Sequence, residues 1–585
     1  MTTTTAAHGQ GSVYELEGMV HSAAVPMDDA RLSAFPRSQT RPILWNVMLS
    51  LVAFLLGGLP GIAQALERVG INLYANAPVN TVLDNRAGYY QGLTLHGVLL
   101  VIVFTFTFAN GFITLATMRA YGRPMASTLL VQVAFGCALL GTGLAGWVML
   151  TNQATVLFTF YPPLKAHVAF YIGAVLLVIS TWVTLANIVW THRQWAAAHP
   201  GERTPLIGFM AIMTYAMWAM ASVGIAAEVL LIVLPWRFGW TDSIDAQLAR
   251  TLFWLTGHPI VYFWLLPAYI SWYTMIPKQA GGRLFSDPLA RFVFLLFLLF
   301  SAPVGFHHQY TDSGVPQWMK NLHGIATIAI FFPSMITAFS VVSALENGGR
   351  ARGGKGLFGW IWRLPWGNPS FTAQVHAMLI FTLGGASGLI NASQTVNLVV
   401  HNTAFVVGHF HMTIGAVALA FIGIAYWLVP YLTGNNLWGR RLALAQSWLW
   451  LVGMLVFARG QISAGLQGVP RRTAFADAVY KDFIDGLDVP NWLTAIGGTM
   501  MGLSGLLIFL VIAGTVMGLA GRNHEQEVPV AETRIGSTRR IWPWLDNYKL
   551  WVVLAVLLVV LAYLPFMITY VPENFTAVGA PFDLY

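Results

Sequence analysis

VVGHFHMTIGAVALAFIGIAYWLVPYL, residues 406–432, decides the fold of this chain. The stretch carries no Asp, Glu, Lys or Arg, and it exceeds the roughly 20 residues that a helix needs to cross a bilayer. It nevertheless holds two imidazoles, His409 and His411, close to its start. A helix turns about 100° per residue, so positions i and i+2 point roughly 200° apart. Two imidazoles on opposite sides of one membrane helix can ligate two different metal centres, side by side in a medium of low dielectric.

The rest of the chain has the same character. Of its 585 residues 56% are hydrophobic and 9% charged, where a soluble domain has about 25% charged. Apolar stretches predict thirteen spans, near 43–65, 91–117, 127–150, 167–190, 205–235, 247–275, 289–310, 321–345, 371–395, 399–432, 441–467, 489–518 and 546–571. Backbone groups in lipid must be satisfied within the segment, so the expected fold is an all-α integral membrane bundle. A polar, Thr-rich arm (1–42) precedes the bundle (43–571), and a short tail (572–585) follows it. The arm has no apolar signal-peptide core.

Basic residues sort by side. The arm and every second loop after it carry 21 of the 31 Lys and Arg, from Arg31, Arg37 and Arg41 through Arg440 and Arg441 to Arg539, Arg540 and Lys549. The positive-inside rule therefore places the N-terminus in the cytoplasm and the tail outside. The net charge of +8 reflects topology and not nucleic-acid binding. Cys137 is the only cysteine, so this chain alone builds no thiolate-bridged copper centre, attached haem or iron–sulfur cluster. An electron entry port of that kind belongs on another subunit.

A single histidine in a span usually hydrogen-bonds a neighbouring helix, but intramembrane ionisable residues are rare enough to mark function. Here depth gives the stronger signal. Under this topology His96, His258, His307, His308, His409 and His411, from four spans, all fall in the outer half of the membrane. His307 and His308 are adjacent, with Pro303 and Gly305 loosening the helix before them. With His258 they make three imidazoles, a set suited to copper with an open position. His96, His409 and His411 then match two haem irons, one bis-His and one single-His. In Gly257-His258-Pro259-Ile260-Val261-Tyr262 the i, i+4 spacing sets the Tyr262 phenol beside the His258 imidazole, where it can supply a proton and an electron to dioxygen.

Four motifs, YYQGLTLHG (89–97), TGHPIVYFWLLPAY (256–269), PVGFHHQ (303–309) and HNTAFVVGHFHM (401–412), resemble subunit I of the haem–copper oxygen reductases, in particular the B-type, ba-type cytochrome c oxidases. FYPPLKAH (160–167), IPKQAGG (276–282) and VPRR (469–472) extend the likeness over about residues 40–570. The resemblance implies His96 and His411 as low-spin haem ligands, His409 as the high-spin haem ligand, and His258, His307 and His308 on copper B. It also implies that Tyr262 is covalently linked to His258. Haem-propionate partners would be His401, Asn402, Arg471 and Arg472. Tyr269 and Tyr273, with Ser334, Thr337 and Ser340 on another span, resemble the family's proton-uptake path. Implied too are a b-type low-spin and an a-type high-spin haem, a subunit II with a dicopper centre, a small single-span subunit, and cytochrome c or a similar carrier as donor. The location would be a prokaryotic inner membrane.

The chain departs from that pattern in places. Asn397 stands where an acidic residue is expected, leaving His401 as the titratable group there. Ser340 replaces a threonine, and Arg459 lies mid-span where an apolar residue is expected. A nitric oxide reductase of the same superfamily is the rival enzyme, but it would carry a glutamate where this chain has Ile260 and lack Tyr262. A secondary transporter would show inverted repeats and broken helices, and none is evident in the sequence.

Overall fold

In the computed structural model, residues 35–74, 85–475, 478, 486–535 and 543–575 are described. The expected arm up to residue 34, including Arg31, the tail from 576, and Arg539 and Arg540 lie outside the described residues. Eleven helices among those described are long and apolar enough to cross a membrane. They are α1 (Arg37–Glu67), α2 (Gly88–Tyr121), α3 (Thr128–Leu150), α4 (Val168–Ala198), α5 (Leu206–Arg237), α9 (Gln317–Ala351), α10 (Pro369–Ala392), α11 (Ala404–Thr433), α12 (Arg440–Leu466), α13 (Asp488–Val516) and α14 (Tyr548–Val571). Three shorter helices, α6 (Ala246–Gly257), α7 (Pro259–Thr274) and α8 (Asp287–Phe300), complete the main framework. Helix α1 begins at Arg37, so the end of the expected polar arm is already helical.

Two of the thirteen expected spans are interrupted, and the interruptions fall at histidines. The stretch 247–275 forms α6 and α7, which meet at His258. Pro259 has no N–H to continue the ladder from α6 but suits the first turn of α7. The stretch 289–310 stays α-helical only to Phe300. Pro303 and Gly305 stop it, and Gly305–Gln309 continues as a short 3-10 turn. A third expectation shifts as well. The span read as 399–432 is a separate short helix, Gln394–Val400, followed by α11. The break is at Asn402, whose φ of +57° is left-handed, and at Thr403, whose side chain caps α11 by accepting from the Phe405 N–H.

Helix starts follow ordinary capping chemistry. Ser127 accepts from the Leu130 N–H at 3.2 Å, Asp245 from Leu248 at 2.9 Å, and Asn368 from Ser370 and Phe371 with Pro369 in the first turn. The two helices that carry His96, His409 and His411 are the central ones. In α2 and α11, 89% and 83% of the most apolar window is buried, against 22% in α14. Helices α12 and α13 approach closely because glycines face each other: a Cβ on Gly497 would lie 2.3 Å from the Phe457 nitrogen, and one on Gly460 2.5 Å from the Pro490 carbonyl.

A charged cluster ties α14 to the bundle. Arg291, buried on α8, donates from Nε to Asp287 Oδ1 (2.7 Å), from Nη1 to Asp546 Oδ1 (2.8 Å) and from Nη2 to the Thr204 carbonyl (2.7 Å). Arg203 Nε reaches Asp546 Oδ2 at 2.5 Å. Removing one partner of a buried pair leaves an uncompensated charge, at a cost of about 3–5 kcal/mol. Asp287→Asn should therefore lower the thermal denaturation midpoint of the purified protein clearly; an unchanged midpoint would show the cluster to be ornamental.

Candidate metal centre

Three imidazoles converge where the two interrupted segments meet. His258 Nδ1 lies 3.0 Å from His308 Nε2, and the His258 and His307 ring centroids are 4.3 Å apart. One nitrogen from each of His258, His307 and His308 falls within 4.8 Å of the others, the arrangement of a metal-binding triad. Each ring is held from behind. His307 Nδ1–H donates to the Val304 carbonyl (2.5 Å) and meets Thr327 Oγ1 (2.9 Å), which leaves Nε2 for the triad. The Trp254 indole stacks on His308 with centroids 3.7 Å apart and planes 6° from parallel. Such partners set the tautomer and aim of a ligating ring. Three neutral imidazoles with no carboxylate among them suit copper.

The i, i+4 expectation holds. Tyr262 Oη and His258 Nε2 share a hydrogen bond of 2.8 Å, because the helical register resumes at Pro259 directly after the junction. The phenol therefore touches the outer nitrogen of an imidazole whose other nitrogen belongs to the triad.

A cavity of about 910 Å³ runs along both sides of α11 and is lined by all six histidines. On one side the His96 and His411 rings lie 14° from parallel with centroids 5.9 Å apart. His96 Nδ1–H donates to the Gly57 carbonyl and His411 Nδ1–H to the Val407 carbonyl, both at 2.8 Å, so each keeps Nε2 free. A Cβ on Gly61 would strike the His96 ring at 2.7 Å, so that residue must be small for the ring to stand there. On the other side His409 Nδ1 meets the Gly384 carbonyl and Ser387 Oγ, each at 3.0 Å. The pair fits two axial ligands of one haem, and the single ring fits one ligand of another.

Cations without anions mark one edge of the cavity. Arg471 and Arg472 line it, with no carboxylate partner among the described residues. Burial, with Arg472 beside it, pushes the Arg471 guanidinium down to about 9. His401 Nε2 is buried without a partner, while its Nδ1–H donates to Asn397 Oδ1 at 2.9 Å. Burial, reinforced by Arg471, pulls the His401 imidazole down to about 4. Asn402 joins this edge through its carbonyl, which accepts the Arg471 N–H at 2.9 Å. Buried donors of this sort fit haem propionates.

The hydroxyl stripes also meet. Tyr273 Oη donates to Thr337 Oγ1 at 2.8 Å, the Tyr269 phenol interacts with Ser334 and Thr337, and Ser340 is buried beside the Tyr273 phenol. Arg459, by contrast, is exposed on α12 and pairs with Ser463. It lies two residues past Phe457, which lines the cavity, so it points away from the cavity. Sequence reading missed Trp254, Thr327 and Ser387. Only Trp254 left a signal, four residues before His258 on the same face.

The chain is similar to known proteins over most of its length. Residues 41–500 match the family model for cytochrome c and quinol oxidase polypeptide I. The chain is 45% identical over 535 residues to a cytochrome c oxidase subunit 1 of Thermus thermophilus, covering 90% of this chain and 93% of that protein. It is 27% identical over 488 residues to one from Thermostichus vulcanus, covering 80% and 81%. A cryo-EM structure of a heme-copper terminal oxidase dimer superposes with a TM-score of 0.85 at 36% identity, over 91% of this chain and 93% of that one.

Proposed function

The chain belongs to the cytochrome c and quinol oxidase polypeptide I family, and from that premise we propose a role for each residue of the centre. The protein is the catalytic subunit of a haem–copper oxidase, a multi-pass membrane enzyme that reduces dioxygen to water and couples this to proton translocation. His258, His307 and His308 hold copper B. His409 holds the high-spin haem, of a-type, and His96 and His411 the low-spin haem, of b-type. The haems and copper supply the electrons and the binding of dioxygen. This chain's residues hold those groups, exclude bulk water and deliver protons. The observation that carries the reading is the triad of imidazoles with Tyr262 bonded to one of them.

Tyr262 holds the proton and electron needed for O–O cleavage, and its link to His258, covalent in the family, keeps the phenol at the reacting centre. Protons reach it along Ser340, Tyr273, Thr337, Ser334 and Tyr269, whose hydroxyls lie on two facing helices, α7 and α9. Arg471, Arg472, His401 and Asn402 hold the propionates. The α6–α7 and α8 segments complete thirteen crossings with the N-terminus in the cytoplasm and the tail outside, the inner membrane of a prokaryote being the site. A subunit II with a dicopper centre passes electrons in from cytochrome c or a similar carrier, and a small single-span subunit completes the complex.

A pyridine haemochrome spectrum with copper and iron analysis tests this reading. Two haems and one copper per chain, besides the copper of subunit II, are expected; iron in place of copper would instead support a nitric oxide reductase. Thr337→Val removes the hydroxyl that receives the Tyr273 bond. It should slow proton-coupled turnover by roughly 10²-fold, the scale of losing a positioned proton carrier, with both haem spectra unchanged. Full turnover would remove Thr337 from the path.

Asn397→Asp tests the departure at the propionate edge. A carboxylate beside His401 Nδ1, now 2.9 Å from the amide oxygen, favours the charged imidazole. The shift is upward, by about one to three units for an opposite charge at this range. The pH at which proton release changes in single-turnover pulses should rise accordingly; an unmoved profile would show that His401 does not carry the pumped proton.

A further inference from the structure

Helix α8 ends at Phe300, and an ended helix leaves its last carbonyls and the next amides without intrahelical partners. Just beyond, the turn 302–306 must carry His307 and His308 in a fixed orientation while having no ladder of its own. The Val304 N–H bonds locally to the Ala302 carbonyl at 2.9 Å, but the Gly305 and Phe306 amides are satisfied from distant parts of the chain. Tyr563 Oη, on α14, accepts the Gly305 N–H at 2.9 Å and donates to the Ala302 carbonyl at 3.4 Å, bridging both ends of the Pro303–Val304 bend. His323 Nδ1, on α9, accepts the Phe306 N–H at 3.2 Å, and its Nε2–H donates to the Ala562 carbonyl of α14 at 3.1 Å. The Phe306 ring packs against His323, Tyr563 and Phe566 at centroid distances of 4.5, 5.2 and 5.4 Å.

The turn is gripped from both sides. A Cβ on Gly305 would lie 2.4 Å from Tyr563 Oη and 2.5 Å from the Trp254 carbonyl of α6, so there is no slack to move in. Within the grip the Val304 carbonyl receives His307 Nδ1–H at 2.5 Å, the bond that aims His307 Nε2 at His258 and His308. A displacement of the bend therefore becomes a rotation of a ligating ring. Helix α14 is otherwise peripheral: among its buried residues Ala562, Tyr563 and Phe566 cluster against this turn. Its inner end is fixed separately by Asp546 to Arg291 and Arg203.

We propose that Tyr563 and His323 are positioning residues for copper B, through which α14 sets the orientation of the His307–His308 turn. The inference rests on the triad being the copper site. Neither side chain touches the metal; each holds backbone of the ligand turn. Partners of this kind typically govern metal affinity by roughly 10–100-fold.

The test uses the purified, complete oxidase in four forms: wild type, Tyr563→Phe, His323→Leu and, as the conservative variant because an amide offers both an acceptor and a donor, His323→Gln. Copper retained against graded chelator, and the infrared stretch of carbon monoxide photodissociated onto copper, are read beside the low-spin haem spectrum. Tyr563→Phe and His323→Leu are expected to lose copper at roughly 10–100-fold lower chelator and to shift or split the copper-bound stretch. His323→Gln should recover most of both, and the low-spin haem should be unaltered throughout. A variant that keeps wild-type copper retention and an unshifted stretch overturns the proposal, as does loss of the low-spin haem in parallel with copper, which would mean general collapse. Wild type without chelatable copper in this subunit would instead overturn the reading of the triad itself.

Discussion

Tyr262→Phe should abolish dioxygen reduction while leaving both haems and copper bound. The substitution removes one oxygen atom and keeps the ring, which packs 5.6 Å from Phe297, so the helix and its neighbours have no reason to move. What disappears is the 2.8 Å bond to His258 Nε2 and with it the phenol that touches a triad imidazole. A general acid in place contributes about 10²–10⁴-fold, and on the proposed role the same group also holds an electron, so turnover should fall at least that far. Reduced-minus-oxidised spectra and copper content check that the centre is assembled, and oxygen consumption with a chemical reductant checks the loss. Tyr269→Phe serves as the comparison: it lies on the proposed path but not on the imidazole, and should slow the enzyme without stopping it. Equal, near-complete turnover in both variants would remove the phenol from the chemistry.

The site was more legible in the sequence than the fold details around it, for a physical reason. Imidazoles are costly in lipid and are retained where they work, so six at one depth stood out against an apolar background. Tyr262 was readable because i, i+4 geometry survives a proline at the first position of a helix. The interruptions were harder. Hydropathy is blind to whether a run of 20 apolar residues is one helix or two meeting at a histidine, and α6 and α7 read as a single span. Pro303 and Gly305 hinted at the end of α8, but nothing local showed that a tyrosine about 260 positions later would satisfy the bend. The backbone partners of these histidines left no signal for the same reason. The carbonyls of Gly57, Val407 and Gly384 that fix His96, His411 and His409 are backbone atoms, which sequence does not distinguish. Arg459 reads as a mid-span cation that must face a partner or water, and it stands on the exposed face of α12, where a long side chain can reach toward the interface.

If His409 and His411 hold different haems, as proposed, their opposite facing makes the two haems separable by single substitutions. His411→Leu removes the ring that stacks on His96 and leaves His409, with its Gly384 and Ser387 contacts, on the far side of the same helix. The expected product lacks the low-spin haem spectrum, keeps the high-spin haem and copper, and takes no electrons from its carrier, so donor-driven oxygen consumption falls to background. His409→Leu should give the reverse: low-spin haem present and reducible by the donor, high-spin haem lost, and no reaction with carbon monoxide. Leucine is apolar and of similar bulk, so in a helix this deeply packed the loss of the haem and not misfolding should dominate, and recovery of the other haem is the control for that. If either substitution removes both haems together, or if His411→Leu spares the low-spin spectrum, α11 does not divide the cavity between two centres, and the assignment of His96 and His411 to one iron falls with it.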